Sequence, residues 1–328
     1  MNLIRSATVI QWLLTSPEPW TRYRTRIDLL DQPEDDPLVL IERANLLEDP
    51  KVQTLIAGAA TLGEQPFKRH NDASYPLYQL STLIDFGLRA SHPGMSEVIK
   101  RIFEHQSAQG ALQSKVNISK AFGGSGEDVW TWMACDAPTL LDCLLRLGLG
   151  ADERVQAAVK HLVNLGDVNG YRCRVDPALS KFRGPGAKND PCPIANVLAL
   201  KALALVPDRM DSATVQIAVE MLLQHWTAPY GQKYYLFGIG SDFRKLKYPF
   251  VWYDILHVTD VLSRYPFVWS DPRFQSMLTH ILKQSNADGL YTAASMYQSW
   301  KGWSFADKKQ PSPWITYLVL RIQNRAPQ

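Results

Sequence analysis

One period governs this chain. A Pro or turn residue, then an aromatic or apolar residue, then a helical apolar run, recurs at Pro19-Trp20, Pro76-Leu77, Thr131-Trp132, Pro191-Cys192, Pro249-Phe250 and Pro313-Trp314. Successive starts are separated by a near-constant stretch of chain, on the order of 60 residues. Glycines repeat with the same period: Gly110, Gly170, Gly231 and Gly289 each precede the next start by roughly 20 residues. Proline fits the first turn of a helix, where its missing N–H costs no hydrogen bond. The period therefore predicts six inner helices, one per repeat.

Partner helices are predicted between them, near 7–15, 49–62, 93–107, 152–165, 210–225 and 271–284. Asp49-Pro50 and Asp271-Pro272 place an Asp cap before a first-turn Pro, and Ser96, Asp152 and Asp211 can cap three more. Val155, Ala158, Val159 and Leu162 show the three- and four-residue steps of an amphipathic helix. The acidic stretch from Gln32 to Pro37 reads as a loop, followed by a short extra helix near 37–47. A helical pair cannot bury its apolar stripe alone, and closing six pairs into a ring removes exposed ends. The expectation is an all-α (α/α)6 toroid, six hairpins around a central cavity in a single domain over residues 1–328. An open solenoid of the same hairpins is the alternative.

Composition excludes several classes. With 35 basic and 32 acidic residues the net charge is +3, too balanced for nucleic-acid binding by bulk electrostatics. Four cysteines in 328 residues are not a disulfide framework, so a reducing, cytoplasmic setting is expected. No apolar run approaches the roughly 20 residues of a membrane span. The opening segment has a short apolar stretch without a small-residue cleavage site, and reads as a structural helix rather than a signal peptide.

Asn286-Ala287-Asp288-Gly289-Leu290-Tyr291, running through Trp300 and Trp303 to Pro313-Trp314, resembles the loop bearing the glutamine–tryptophan repeats of squalene–hopene cyclases. The six-hairpin plan resembles the terpenoid cyclase and protein prenyltransferase toroids over most of the chain. The cyclases' Asp-X-Asp-Asp acid motif is absent, as is a regular Gln-to-Trp pattern. Protein prenyltransferases bind zinc through an Asp-X-Cys and a His at the next inner-helix start. Asp190-Pro191-Cys192 is similar to that Asp-X-Cys, but His257 lies well over a helical turn deeper than the expected His. The resemblance implies a central-cavity enzyme acting on an isoprenoid-like substrate, with zinc or magnesium as the metal to test.

Aligned on the six starts, the residue five positions on is Arg24, Ser81, Asp136, Asn196, Asp254 or Leu318. One position on stand Trp20, Leu77, Trp132, Cys192, Phe250 and Trp314; eight on, Ile27, Ile84, Thr139, Ala199, His257 and Arg321. These offsets share a helical face. They predict an aromatic rim, a polar belt and a deeper layer with one His. Asp254, Asp136, His257 and Arg24 are the catalytic candidates. Asn196, Ser81, Trp20, Trp132, Phe250, Trp252 and Trp314 are substrate-binding candidates. The plainer readings are that Asp136 caps the helix opening at Ala137-Pro138, Arg24 pairs with a carboxylate, His257 is structural and the tryptophans pack the core.

Cys143 reads as core. Cys135, Cys173 and Cys192 fall near the same ends of adjacent hairpins, where Asp190 and Cys192 are candidate zinc ligands. The loops before the inner helices are basic, with Lys68-Arg69-His70, Arg172, Arg174, Lys181, Arg183, Lys188, Arg244, Lys245, Lys247, Lys308 and Lys309. Arg183 and Lys188 are the candidate contacts to an anionic, diphosphate-bearing small molecule. Gly123-Gly124-Ser125-Gly126 and Gly184-Pro185-Gly186 lack the lysine placement of a P-loop. Three functions follow: an isoprenoid transferase or cyclase, a carbohydrate-active glycosidase or lyase using Asp136 and Asp254, or a non-catalytic binding toroid.

Overall fold

A computed structural model describes residues 3–68, 71–179, 189–228 and 241–327, and the side chains from residue 7 onward. The protein is mostly helical, with 13 α-helices among the described residues. Six of them form an inner set: α2 (Pro19–Leu29), α5 (Pro76–Phe86), α7 (Ala137–Arg146), α9 (Pro193–Leu203), α11 (Ile255–Leu262) and α13 (Pro313–Asn324). Their partners are α1 (Leu3–Leu14), α4 (Pro50–Ala59), α6 (Met95–Glu104), α8 (Glu153–Asn164), α10 (Ala213–Thr227) and α12 (Pro272–Leu282), with α3 (Pro37–Glu48) as the extra helix. None of the described helices is long and apolar enough to cross a membrane.

Burial distinguishes most of the inner helices from their partners, though α2 is no more buried than α10. Every residue of α9 and α11 is buried, whereas α6 buries Met95, Val98 and Ile102 on one stripe. A helix covered on all sides lies inside a structure, and one with a single covered stripe lies on its outside. Each inner helix touches the next: α2 packs on α5, α5 on α7, α7 on α9, α9 on α11, α11 on α13, and α13 on α2.

Capping follows the sequence at most partner helices. Asp49, Asp152 and Asp271 each accept backbone N–H bonds at the starts of α4, α8 and α12. For α10 the cap is Ser212 rather than Asp211, and α6 begins after Gly94 without a side-chain cap, so Ser96 is not its cap. Three inner helices start later than their turn residues suggest. Thr131 ends a short strand (Val129–Thr131) paired with Ser114–Val116, α9 starts at Pro193 rather than Pro191, and α11 starts at Ile255 rather than Pro249.

The glycine series docks loops onto inner helices. Gly110, Gly170 and Gly289 have φ of +88°, +101° and +82°, a region that disfavours other residues, while Gly231 lies outside the described residues. After Gly170, the Tyr171 N–H donates to Asn196 Oδ1 at 2.9 Å, and Asn196 Nδ2 donates to the carbonyls of Tyr171 at 2.9 Å and Cys192 at 2.8 Å. The last repeat uses Thr316, whose hydroxyl accepts from Tyr291 N–H at 3.0 Å. A Cβ on Gly170 would sit 2.5 Å from Asn196 Oδ1.

Toward the C-terminal ends of the inner helices lies a layer of largely buried charge. It contains one residue from each: Asp28, Asp85, Asp142, Lys201, Asp260 and Arg321, recurring with the same period as the helix starts. Lys201 Nζ is 3.4 Å from Asp142 Oδ2, both side chains 1% exposed, and donates to Ser81 Oγ at 3.5 Å. Arg146 pairs with Asp85, whose other oxygen accepts from the Tyr248 hydroxyl at 3.0 Å. Asp260 receives Arg321 at 2.7 Å, Arg264 at 2.9 Å and Arg325 at 3.0 Å. Asp28 receives Arg24 at 2.8 Å and the Tyr317 hydroxyl. Neighbouring cations hold Asp85 and Asp260 well below the usual carboxylate range despite burial.

Asn196→Ala is expected to lower stability by about 1–3 kcal/mol in urea unfolding, because it strands the buried N–H of Tyr171, while the Tyr171 carbonyl keeps the Cys192 N–H. An unchanged midpoint would show that the loop does not depend on this amide.

Candidate active site

The N-terminal ends of α5, α7, α9 and α11 bring several sequence candidates together. Asp136 and Asp254 are N-caps, not members of a mid-helix belt. Asp136 Oδ1 accepts from the N–H groups of Met133 at 2.8 Å and Ala137 at 2.7 Å, and the Ser114 hydroxyl interacts with the same carboxyl. Asp254 Oδ1 accepts from His257 N–H at 3.0 Å, and its Oδ2 is buried without a partner. Helix N-termini and donated N–H bonds favour the charged carboxylate. Burial outweighs them, raising both carboxyls from 3.8 to about 7.

Tyrosines link the two carboxyls. Burial pushes the Tyr78 phenol well up, with further pushes from Cys135, Tyr297 and Asp136. Burial also raises Tyr297, and Asp254 adds to it. Both carboxyls therefore act on one tyrosine pair. Lys247, its Nζ 3.6 Å above the Tyr297 ring centre, is the cation that draws Asp254 downward. Tyr75, at the start of α5, is raised by burial and then by Asp136.

His257 lies behind this group. It is fully buried, stacked on Phe250 at 4.6 Å, and donates from Nδ1 to the Trp252 carbonyl at 2.9 Å, leaving Nε2 without a partner. Burial lowers it to about 3, with Lys201 adding to the effect, so it is a neutral imidazole and a weak base. Trp132, immediately before Met133, packs edge-on against His161 at 4.6 Å.

Other candidates lie elsewhere, so the belt is not one layer. Arg24 is paired to Asp28 at the far ends of the helices. Asn196 ties a loop to α9, and Ser81 accepts from Lys201 in the charge layer. The reason is the late start of α7 and α11, which moves Asp136 and Asp254 outside their helices while Arg24 and Ser81 stay inside theirs. Trp20 and Trp314 are core: Trp20 stacks on Phe86 at 4.8 Å and meets Trp303, and Trp314 meets Phe86 and Tyr248 edge-on. Arg183 and Lys188 lie outside the described residues, as do Arg69, His70 and Lys181. Several described cations of the basic loops already have neighbours. Arg172 and Arg174 pair with Asp167 at 2.9 and 2.8 Å, Lys245 pairs with Asp242 at 2.6 Å, and Arg244 lies over Trp226.

Among the described residues no group of three or more His, Cys, Asp or Glu side chains is placed to hold a metal ion. The Cys192 thiol is held well above its usual value by a hydrogen bond with Cys173 and by burial, which keeps it protonated.

Sequence reading missed Tyr75, Tyr78 and Tyr297, which flank the carboxyls, and, Arg321 apart, the charge layer. The layer did leave a signal: a charged residue returning once per repeat inside otherwise apolar segments. No family model matches the sequence, and no curated protein matches it.

The raised carboxyls make stability depend on pH. In the folded chain Asp254 stays protonated until about 7, whereas in the unfolded chain it ionises near 3.8. Folding therefore binds a proton between these values, and stability falls as pH rises through that window. Asn accepts the same His257 N–H bond without titrating. Wild type is expected to lose about 2–3 kcal/mol relative to Asp254→Asn between pH 5 and 8. Parallel pH profiles from urea titrations would mean the carboxyl does not titrate there.

Proposed function

We propose that the protein is an (α/α)6 toroid of the terpenoid cyclase and prenyltransferase layout, and an acid-catalysing enzyme acting on an isoprenoid-like apolar small molecule. The return of the inner-helix contacts from α13 to α2 supports the toroid. The observation that carries the acid reading is the pair of buried helix-capping carboxyls, Asp136 and Asp254, each raised by burial to about 7.

A carboxyl with that affinity is matched to donating a proton near neutral pH. In this reading Asp254 gives its proton to a substrate double bond, leaving a carboxylate that Lys247 steadies and a carbocation on the substrate. The faces of Tyr78, Tyr297 and Trp252 stabilise such a cation by about 0.5–2 kcal/mol each. Loss of a proton from the cation to a carboxylate closes the cycle, with no oxidant or metal in the balance. A glycosidase pair needs one carboxylate ionised beside one protonated acid. Burial raises both here, which favours the proton-donor reading.

Incubation with linear polyprenyl substrates, followed by mass spectrometry, tests this. Wild type should convert one of them, and Asp254→Asn should cut turnover by about 100-fold or more with an unchanged helical spectrum. Consumption of no polyprenyl substrate, or full activity in the variant, contradicts the proposal.

A further inference from the structure

The opposite ends of the inner helices hold a hollow of about 670 Å³ lined by five arginines, Arg24, Arg146, Arg264, Arg321 and Arg325, with Asp28 and Asp31. Part of this lining has a structural purpose. Helix C-termini present unpaired carbonyls, and arginines satisfy several: Arg146 donates to Ile84 O at 3.0 Å, Arg264 to Lys201 O at 3.3 Å and Arg325 to Asp260 O at 2.8 Å. Arginines also neutralise the carboxylates of the charge layer.

Two observations exceed that purpose. Six cations (these five arginines and Lys201) face five carboxylates (Asp28, Asp31, Asp85, Asp142 and Asp260), which leaves a surplus of one positive charge among the described residues. Buried guanidinium donors also stand without acceptors. The Nε groups of Arg24, Arg264 and Arg321 have no hydrogen-bond partner, and the Arg321 side chain is only 5% exposed. A buried donor without an acceptor is costly, and a planar guanidinium is shaped to hold an oxyanion through two parallel bonds. These Nε atoms are themselves covered, so an anion in the hollow would meet the exposed parts of the lining guanidinium groups and reach Nε only if the side chains shift.

We propose that this hollow is a second binding site, separate from the carboxyl pair, for a small multiply charged oxyanion: a phosphate or diphosphate group, free or on a small molecule. The charge surplus sets the sign of the ligand, and the five guanidinium groups on the lining set its chemistry. Asp31 is the one exposed carboxylate on the lining, and its negative charge opposes the ligand. Its φ of +50° is a conformation that Asn also tolerates, so Asp31→Asn removes the charge without straining the backbone.

Calorimetric titration of the full chain with inorganic pyrophosphate, at low ionic strength, tests the site. Wild type should bind, with affinity falling as salt rises. Asp31→Asn should bind about 3- to 10-fold more tightly, and Arg24→Gln at least about 10-fold more weakly. Asp254→Asn should bind as wild type does, which separates this site from the acid reading. Absence of binding at millimolar pyrophosphate overturns the proposal. So does binding that Asp31→Asn leaves unchanged, which decides the matter even where Arg24→Gln fails to fold. Loss of binding in Asp254→Asn would assign the anion to the other end and overturn it too.

Discussion

The structure rests on pairing buried charge across the inner helices. Lys201 sits on α9, a helix with no exposed residue, and taking its ammonium out of water costs several kcal/mol unless a carboxylate meets it. Asp142 on α7 meets it at 3.4 Å, and the Ser81 hydroxyl on α5 accepts from it. Arg146 carries the pairing from α7 to Asp85 on α5, and Arg321 carries it from α13 to Asp260 on α11. Apolar packing would tolerate several registers of one helix against the next. Charges that must each find a partner tolerate far fewer, because a slipped helix would strand a buried ion. The layer thus selects one arrangement among many that would bury similar apolar area.

Helix polarity explains why the two ends differ in character. N-termini carry partial positive charge and free N–H groups, and C-termini carry partial negative charge and free carbonyls. Protonated carboxyls cap α7 and α11 at one end, and guanidinium groups, with the carboxylates they neutralise, collect at the other. A helix the length of α9 separates them by about 16 Å. Within that distance the chain holds two chemically opposite environments. One is an aromatic, acidic end where burial keeps carboxyls protonated; the other is an arginine-lined hollow with more positive than negative charge.

Much of the helical plan was legible in the sequence. The recurring Pro or turn residues, each followed by an aromatic or apolar residue, marked all six inner helices, and the Asp-Pro pairs at 49–50 and 271–272 fixed two partner-helix starts. The inner starts at Thr131 and Pro249 were misplaced for a physical reason. Proline and threonine before an aromatic residue fit a strand end or an extended loop as well as a first helical turn, and only tertiary packing decides. That delay made one belt out of side chains that belong to opposite ends. Asp136 and Asp254 were still found, since polar residues at apolar helix starts stand out. The charge layer was hidden because Asp142–Arg146 and Asp260–Arg264 have the i,i+4 spacing of ordinary surface ion pairs. Tyr78 and Tyr297 gave no local signal, because they meet only through the fold.

A double-mutant cycle on Lys201 and Asp142 tests the charge layer most directly. Stabilities of wild type, Lys201→Met, Asp142→Asn and the double variant would be read from urea unfolding. If the two charges hold α9 against α7, the cycle should give a coupling of about 1 kcal/mol or more, with the double variant less damaged than the single losses sum to. Additive losses, within about 0.5 kcal/mol, would contradict the account.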